Sequence, residues 1–182
     1  SKWCGAGGWR LGFFAIPVQL NEIKDSIKIL CSESFTAVSA PIQYAAIAAY
    51  TDDHSSYLKK VKKILFSVGT HVYENLKSNS INIAKPEGGF YLFPEFVKAK
   101  FFSSTEMCKD ILDKTGVALL PGSDFGLESK RMIARLSYTD FNGETFLKNT
   151  SGSKSLNTAD LEKYAPNIVN GVSKLKAWSE SL

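Results

Sequence analysis

Apolar positions along the chain keep two rhythms. From Asn21 to Ser80 they recur every three or four residues, the spacing of a helix face. Beyond Ser80 they come in short alternating runs broken by Pro and Gly, the texture of strands and turns. Within the first rhythm, Ile23, Ile27, Leu30 and Cys31 share one face of a helix with Asn21 as its cap. The Ser/Thr-rich stretch from Ser32 to Ser39 reads as a loop, and the alanine-rich Pro41 to Tyr50 as a helix packed closely on its neighbours. The longest element starts at Asp52 or Asp53 and carries Tyr57, Val61, Ile64, Leu65, Val68, Val72 and Leu76 on one face. At about 26 residues it would be about 39 Å long, enough to run from one domain into another. Ahead of all of these, Gly12 to Pro17 predicts a short buried strand ended by proline.

The second rhythm predicts strands at Ile81 to Ala84 and Gly89 to Phe93, flanking the turn Pro86-Glu87-Gly88. A helix from Ser104 to Lys114 presents Met107, Cys108, Ile111 and Leu112 inward and stops at Gly116. Strands follow at Val117 to Leu120 and Met132 to Tyr138. Phe141 to Asn157 is polar and irregular, with Thr150 to Ser155 expected to be mobile. A closing helix spans Asp160 to Ser179, with Pro166 producing a kink or a late start. The architecture expected is α/β: a mixed sheet from the strands near residues 81, 90, 118 and 135, covered by the helices at 104–114 and 160–179. The domain boundary falls within the long helix, near residues 70 to 80, giving segments 1–75 and 76–182.

Composition narrows the classes without choosing among them. With 44% hydrophobic and 22% charged residues, the 182-residue chain is an ordinary globular protein. No apolar run approaches the roughly 20 residues a membrane span needs. The glycine-rich start lacks the apolar core of a signal peptide. Cys4, Cys31 and Cys108 are odd in number and widely spaced, which fits neither a disulfide framework nor a zinc site. A cytoplasmic location is expected. The net charge of +4 is mild, and the run Lys59-Lys60-Val61-Lys62-Lys63 reads as a solvated helix face without interleaved aromatics, so no nucleic-acid partner is expected. His54 and His71 have no acidic pattern around them that suggests a metal, and Ser123 and Ser137 lack a base partner for hydrolase chemistry.

The chemistry is concentrated at the N-terminal end. Lys2 stands eight residues before Arg10, with the run Gly5-Ala6-Gly7-Gly8 between them. A lysine amine condenses reversibly with an aldehyde, and an arginine fork matches a phosphate. Pyridoxal 5′-phosphate (PLP) is a cofactor that carries both groups. Glycines let the backbone approach a ligand closely. Lys2, Gly5, Ala6, Gly8, Arg10, Leu11 and Gly12 fill, without a mismatch, the active-site lysine signature of the class I/II aminotransferases, which are fold-type-I PLP enzymes, and the segment resembles that signature. Pro86-Glu87-Gly88-Gly89-Phe90-Tyr91 is similar to the family's Pro-x-Gly-Gly-x-aromatic strand. Pro121-Gly122-Ser123-Asp124-Phe125-Gly126 and Arg135-Leu136-Ser137 are similar to its C-terminal Pro-Gly-x-x-Phe-Gly and Arg-Leu-Ser pair.

The resemblance implies the C-terminal part of the PLP-dependent transferase fold: the end of the large domain with its long linking helix in 1–75, and the small domain in 76–182. It implies Lys2 as catalytic and cofactor-binding, Arg10 as the phosphate ligand, and Arg135 as the substrate α-carboxylate ligand, with Arg131 as the competing candidate. The flanking Leu136-Ser137 favours Arg135. It implies transfer of an amino group between an amino acid and a 2-oxo acid, and a homodimer. PLP-dependent carbon-sulfur lyases share these motifs, and a non-catalytic dimerisation or partner-binding module is the reading from another class. The signature begins ahead of Ser1, and the family's ring-nitrogen carboxylate and ring-stacking aromatic lie upstream of the lysine. The chain is therefore expected to be one portion of a longer enzyme and inactive alone.

Overall fold

The periodic segments fold as helices. In the computed structural model, which describes residues 2–150 and 156–182, α1 spans Asn21–Ser34, α2 Ala40–Thr51 and α3 Ser55–Leu76. The spacing-based expectation survives with small shifts. Leu20, not Asn21, is the cap of α1, because Asn21 already has helical dihedrals (φ −57°, ψ −33°). The helix continues through Ser34 into the stretch read as a loop. At 22 residues α3 is shorter than expected, about 33 Å long. Its start is fixed by Asp53, whose carboxylate accepts from the Ser55 backbone N–H at 2.9 Å.

The chain divides into two compact units, Ser1–Leu58 and Lys59–Leu182. In the first, only Ala6 and Ala46 are buried among the described residues. Phe13 and Phe14 are 74% and 62% exposed, and Val18, Ile23, Ile29, Leu30, Phe35 and Tyr44 are exposed as well. The strand expected over Gly12 to Pro17 is absent: that segment pairs with nothing among the described residues. Apolar content makes a segment suited to a sheet, but a strand exists only where a second backbone meets its N–H and C=O groups.

The second unit has a continuous core. Ile64, Val68, Val72 and Leu76 of α3 meet Phe96, Met107, Ile111, Leu136, Tyr138, Val172 and Trp178. Its strands are short: β1 Ile81–Asn82, β2 Tyr91–Leu92, β3 Glu95–Phe96, β4 Leu120–Pro121 and β5 Ala134–Ser137. β1 pairs with β3, while β5 is central to a second ladder in the order β2-β5-β4. Every pair is antiparallel, so the mixed sheet expected from the sequence is corrected to antiparallel ladders. The strands on either side of Pro86-Glu87-Gly88 do not pair with each other either. β1 takes β3 and β2 takes β5, since the three-residue turn read from the sequence lies within a longer connection from Ile83 to Phe90.

Helix α4, Ser104–Thr115, forms as expected. The Ser103 side chain accepts from the Glu106 N–H at its start, and Gly116 ends it in the left-handed region (φ 74°). The segment read as irregular holds a helix, α5 Gly143–Asn149, capped by Asn142, which buries Phe146. Of the stretch expected to be mobile, Ser151 to Ser155 lie outside the described residues. Thr150 is buried, and its hydroxyl donates to the Phe146 carbonyl at 2.7 Å. The closing helix is two helices, α6 Thr158–Tyr164 and α7 Pro166–Glu180. Pro166, which has no N–H to give, opens the second of them instead of kinking a single long one. No helix among the described residues is long and apolar enough to cross a membrane.

Candidate active site

Lys2 and Arg10 belong to one hooked segment of the first unit. Residues 2–5 form a turn closed by the Gly5 N–H donating to the Lys2 carbonyl at 3.3 Å. Gly5 has φ 69°, a conformation that favours glycine, and a Cβ there would also fall 3.0 Å from the Tyr57 hydroxyl. A 3-10 turn over Gly7–Trp9 follows, and Arg10 ends it in the left-handed region at φ 53°, ψ 34°. That conformation is uncommon for a residue with a Cβ. It turns the Arg10 side chain back on its own segment, where Nη1 donates to the Gly7 carbonyl at 3.1 Å. Lys2 and Arg10 are both exposed. Around the segment, the Trp3 ring lies 5.9 Å from that of Tyr50 and 5.7 Å from that of His54, and Phe13 meets Tyr50 edge-on. Burial pushes the Tyr57 phenol above its ordinary range, and nearby Cys4 adds to the shift.

Arg135 lies on β5 of the second unit, opposite Leu120 of β4. Its guanidinium carbon sits 4.5 Å from the centre of the Tyr91 ring and 4.5 Å from that of Phe125. Among the described residues it makes no ion pair and no side-chain hydrogen bond. Arg131, the competing arginine, is occupied: Nη2 and Nε donate to Glu95 Oε1 at 3.1 and 3.4 Å.

The turn that brings Phe125 to this place explains its own motif. Gly122 donates to the Ile133 carbonyl at 2.8 Å, and a Cβ at Gly122 would come within 3.0 Å of that same oxygen. Gly126 stops the 3-10 turn Gly122–Phe125 at φ 79°. Sequence reasoning identified the motif without finding what its aromatic touches. A cation flanked by aromatic-rich segments was the available signal, but the contact spans Tyr91, Phe125 and Arg135, which only the fold brings together.

No group of three or more metal-ligating side chains is found among the described residues. Cys31 is half-buried and Cys108 buried, and both are free thiols.

The sequence profile of the family "Aminotransferase class I and II" matches residues 1–145. A probable aspartate/prephenate aminotransferase of Aquifex aeolicus is 32% identical over 142 residues, covering 76% of this chain and 34% of that protein. A probable N-acetyl-LL-diaminopimelate aminotransferase of Bacillus subtilis is 33% identical over 134 residues, covering 72% and 32%. Among solved structures, an alanine aminotransferase from Pyrococcus furiosus superposes with a TM-score of 0.73 at 25% identity, over 100% of this chain and 40% of that one. The chain thus spans about a third of the length of the curated relatives it matches. The fold is α/β and corresponds to part of the aminotransferase fold. Because the profile runs from the lysine segment through the strand that carries Arg135, this chain belongs to the class I and II aminotransferase family.

Proposed function

We propose that this chain contributes the cofactor lysine and the substrate-carboxylate arginine of a PLP-dependent aminotransferase. The activity is transfer of an amino group between an amino acid and a 2-oxo acid. It requires the rest of the fold that the relatives possess, on the same polypeptide or another. The observation that carries this reading is the contrast between two neighbouring arginines. Arg131 is paired with Glu95, while Arg135 has aromatic neighbours and no acidic partner among the described residues. A half-buried cation calls for an anion, and a substrate carboxylate supplies one with two oxygens matched to the guanidinium fork.

The donor set in the first unit suits PLP. An exposed primary amine and an exposed guanidinium stand on one glycine-rich segment, complementary to an aldehyde and a phosphate. When bound, the cofactor supplies an electron sink for the bonds at the substrate Cα. Lys2 would hold the aldehyde, and its free amine would move the proton at the substrate Cα. Arg10 holds the phosphate, and Arg135 fixes the carboxylate and thereby the direction of the Cα–H bond.

Residues 1–75 are assigned to the end of the cofactor-binding domain and 76–182 to the small domain. The exposed apolar side chains of the first unit favour cover by another protein surface, and a homodimer is the assembly proposed. The free thiols of Cys31 and Cys108 suit a reducing cytoplasm. Borohydride reduction of the native protein with its cofactor, followed by peptide mapping, tests the reading. A phosphopyridoxyl group on Lys2 is expected; label on other lysines with Lys2 unmodified would overturn it.

A further inference from the structure

We propose that Tyr91 and Phe125 are positioning residues for Arg135: their rings hold the guanidinium plane so that only its N–H edges face a ligand. This rests on reading Arg135 as a carboxylate anchor and adds the device that orients it.

The geometry comes from both sides of the strand. Tyr91 on β2 stands opposite Ser137. Arg135, two residues earlier on β5, is therefore its diagonal neighbour on the same face of the antiparallel pair, within reach of a long side chain. Phe125 arrives from the other side, at the end of the turn Gly122–Phe125. The guanidinium carbon lies over both rings, 4.5 Å from the centre of each. Each ring has a further aromatic neighbour. Phe90 is 4.4 Å from Tyr91, and Phe93 meets Phe125 edge-on at 5.5 Å and 88°.

A ring face attracts a cation and offers it no hydrogen-bond acceptor in the plane. The five N–H groups of a guanidinium point outward in that plane. With two rings against it and its N–H groups unpaired among the described residues, the group is set to accept a planar carboxylate edge to edge, and its rotamer freedom is largely spent before the ligand arrives.

The measurement is 15Nε relaxation of the three arginines in the labelled 182-residue chain, with and without pyruvate as the carboxylate probe. Rigid groups give order parameters of about 0.85 and flexible ones below about 0.6. In the wild type, Arg135 should lie at the rigid end without pyruvate, while exposed Arg10 lies at the flexible end. Phe125→Leu should bring Arg135 below about 0.6, leave the Ala134 and Leu136 amide shifts in place, and weaken pyruvate binding about threefold to tenfold. Phe125→Tyr and Tyr91→Phe, which keep the rings, should leave the order high. Tyr91→Leu gives the same comparison from the other side should Phe125→Leu not fold. A mobile Arg135 in the wild type, or an ordered one after either leucine substitution, overturns the inference. An Arg135 signal that is ordered but unmoved by pyruvate would instead count against the carboxylate-anchor reading and leave the positioning role standing.

Discussion

The phenol of Tyr138 lies against Gly69. A Cβ at Gly69 would fall 2.9 Å from its hydroxyl and 3.0 Å from Cζ, while the hydroxyl donates to the Gly89 carbonyl at 3.0 Å. One side chain just past β5 thus ties α3 to the Gly88-Gly89 segment, three residues from Arg135. Burial holds this phenol above its ordinary range, consistent with a neutral O–H donor.

Gly69→Ala should destabilise the protein despite improving helix propensity. The propensity gain is about 0.8–1 kcal/mol. Overpacking a filled core costs about 1–3 kcal/mol, and Val68, Val72 and Tyr138 around the site are all buried. A net loss of about 1 kcal/mol is expected in urea unfolding. The loss should shrink in a Tyr138→Phe background, where the nearest atom is gone. A raised urea midpoint for Gly69→Ala would mean that the Tyr138 ring moves aside freely.

Asp110 joins α4 to α7, accepting from Trp178 Nε1 at 2.9 Å and pairing with Lys114 at 2.9 Å. The bond from Lys114 and then that from Trp178 hold its carboxyl below the usual range. A carboxyl depressed in the folded state stabilises above its unfolded value, about pH 4, and that contribution is lost as pH falls through the folded value. Asp110→Asn keeps an acceptor for the indole and should cost under about 1 kcal/mol at pH 7. Asp110→Ala leaves the buried indole N–H unpaired and should cost about 1–2 kcal/mol. Below pH 5 the unfolding midpoint of Asp110→Asn should fall less steeply than that of the wild type. Equal slopes would place the linkage elsewhere.

The helices were legible because a helix writes its buried face every three or four residues. Ile64, Val68, Val72 and Leu76 announce α3, and Gly116 marks the end of α4. The ladders were not, because strands of two to four residues are too short for alternation to fix their partners. Nothing near Ile81 states that it pairs with Phe96. At the candidate site, motif spacing singled out Lys2, Arg10 and Arg135 as candidates. The stack of Arg135 on Tyr91 and Phe125 depends on contacts 44 and 10 residues apart in the chain (135 − 91 and 135 − 125), beyond any local pattern.

Cys108 should be nearly inert. Burial pushes its thiol up to about 11, and Asp124 adds to the shift. At pH 8 about a thousandth of it is thiolate, so iodoacetamide should label half-buried Cys31 far faster. Because the folded value lies above the unfolded one, near 8.5–9, the contribution is complete below about pH 8.5 and is lost as pH rises toward 11. Between pH 8 and 10.5 the urea midpoint should drop more in the wild type than in Cys108→Ala. Rapid alkylation of Cys108 in the folded chain would show that α4 opens readily.

For the proposed amino transfer, the two arginines of the last motif should separate cleanly. Each hydrogen bond to a charged group contributes about 1.5–3 kcal/mol, so losing the two that a carboxylate makes should cost about 3–6 kcal/mol of transition-state binding. In the assembled enzyme, Arg135→Ala should therefore lower kcat/KM at least about a hundredfold. Arg135→Lys should be nearly as damaging, because an ammonium cannot present two parallel N–H groups and lacks the planar fork that lies over the Tyr91 and Phe125 rings. Arg131→Ala removes an ion pair whose arginine side chain is 50% exposed and whose Glu95 is 28% exposed. That pair contributes at most about 1 kcal/mol to stability and nothing directly to substrate, so kcat/KM should stay within a few-fold of the wild type. The reverse ranking, with Arg131→Ala inactive and Arg135→Ala active, would assign the carboxylate to Arg131 and require Glu95 to release it on substrate binding.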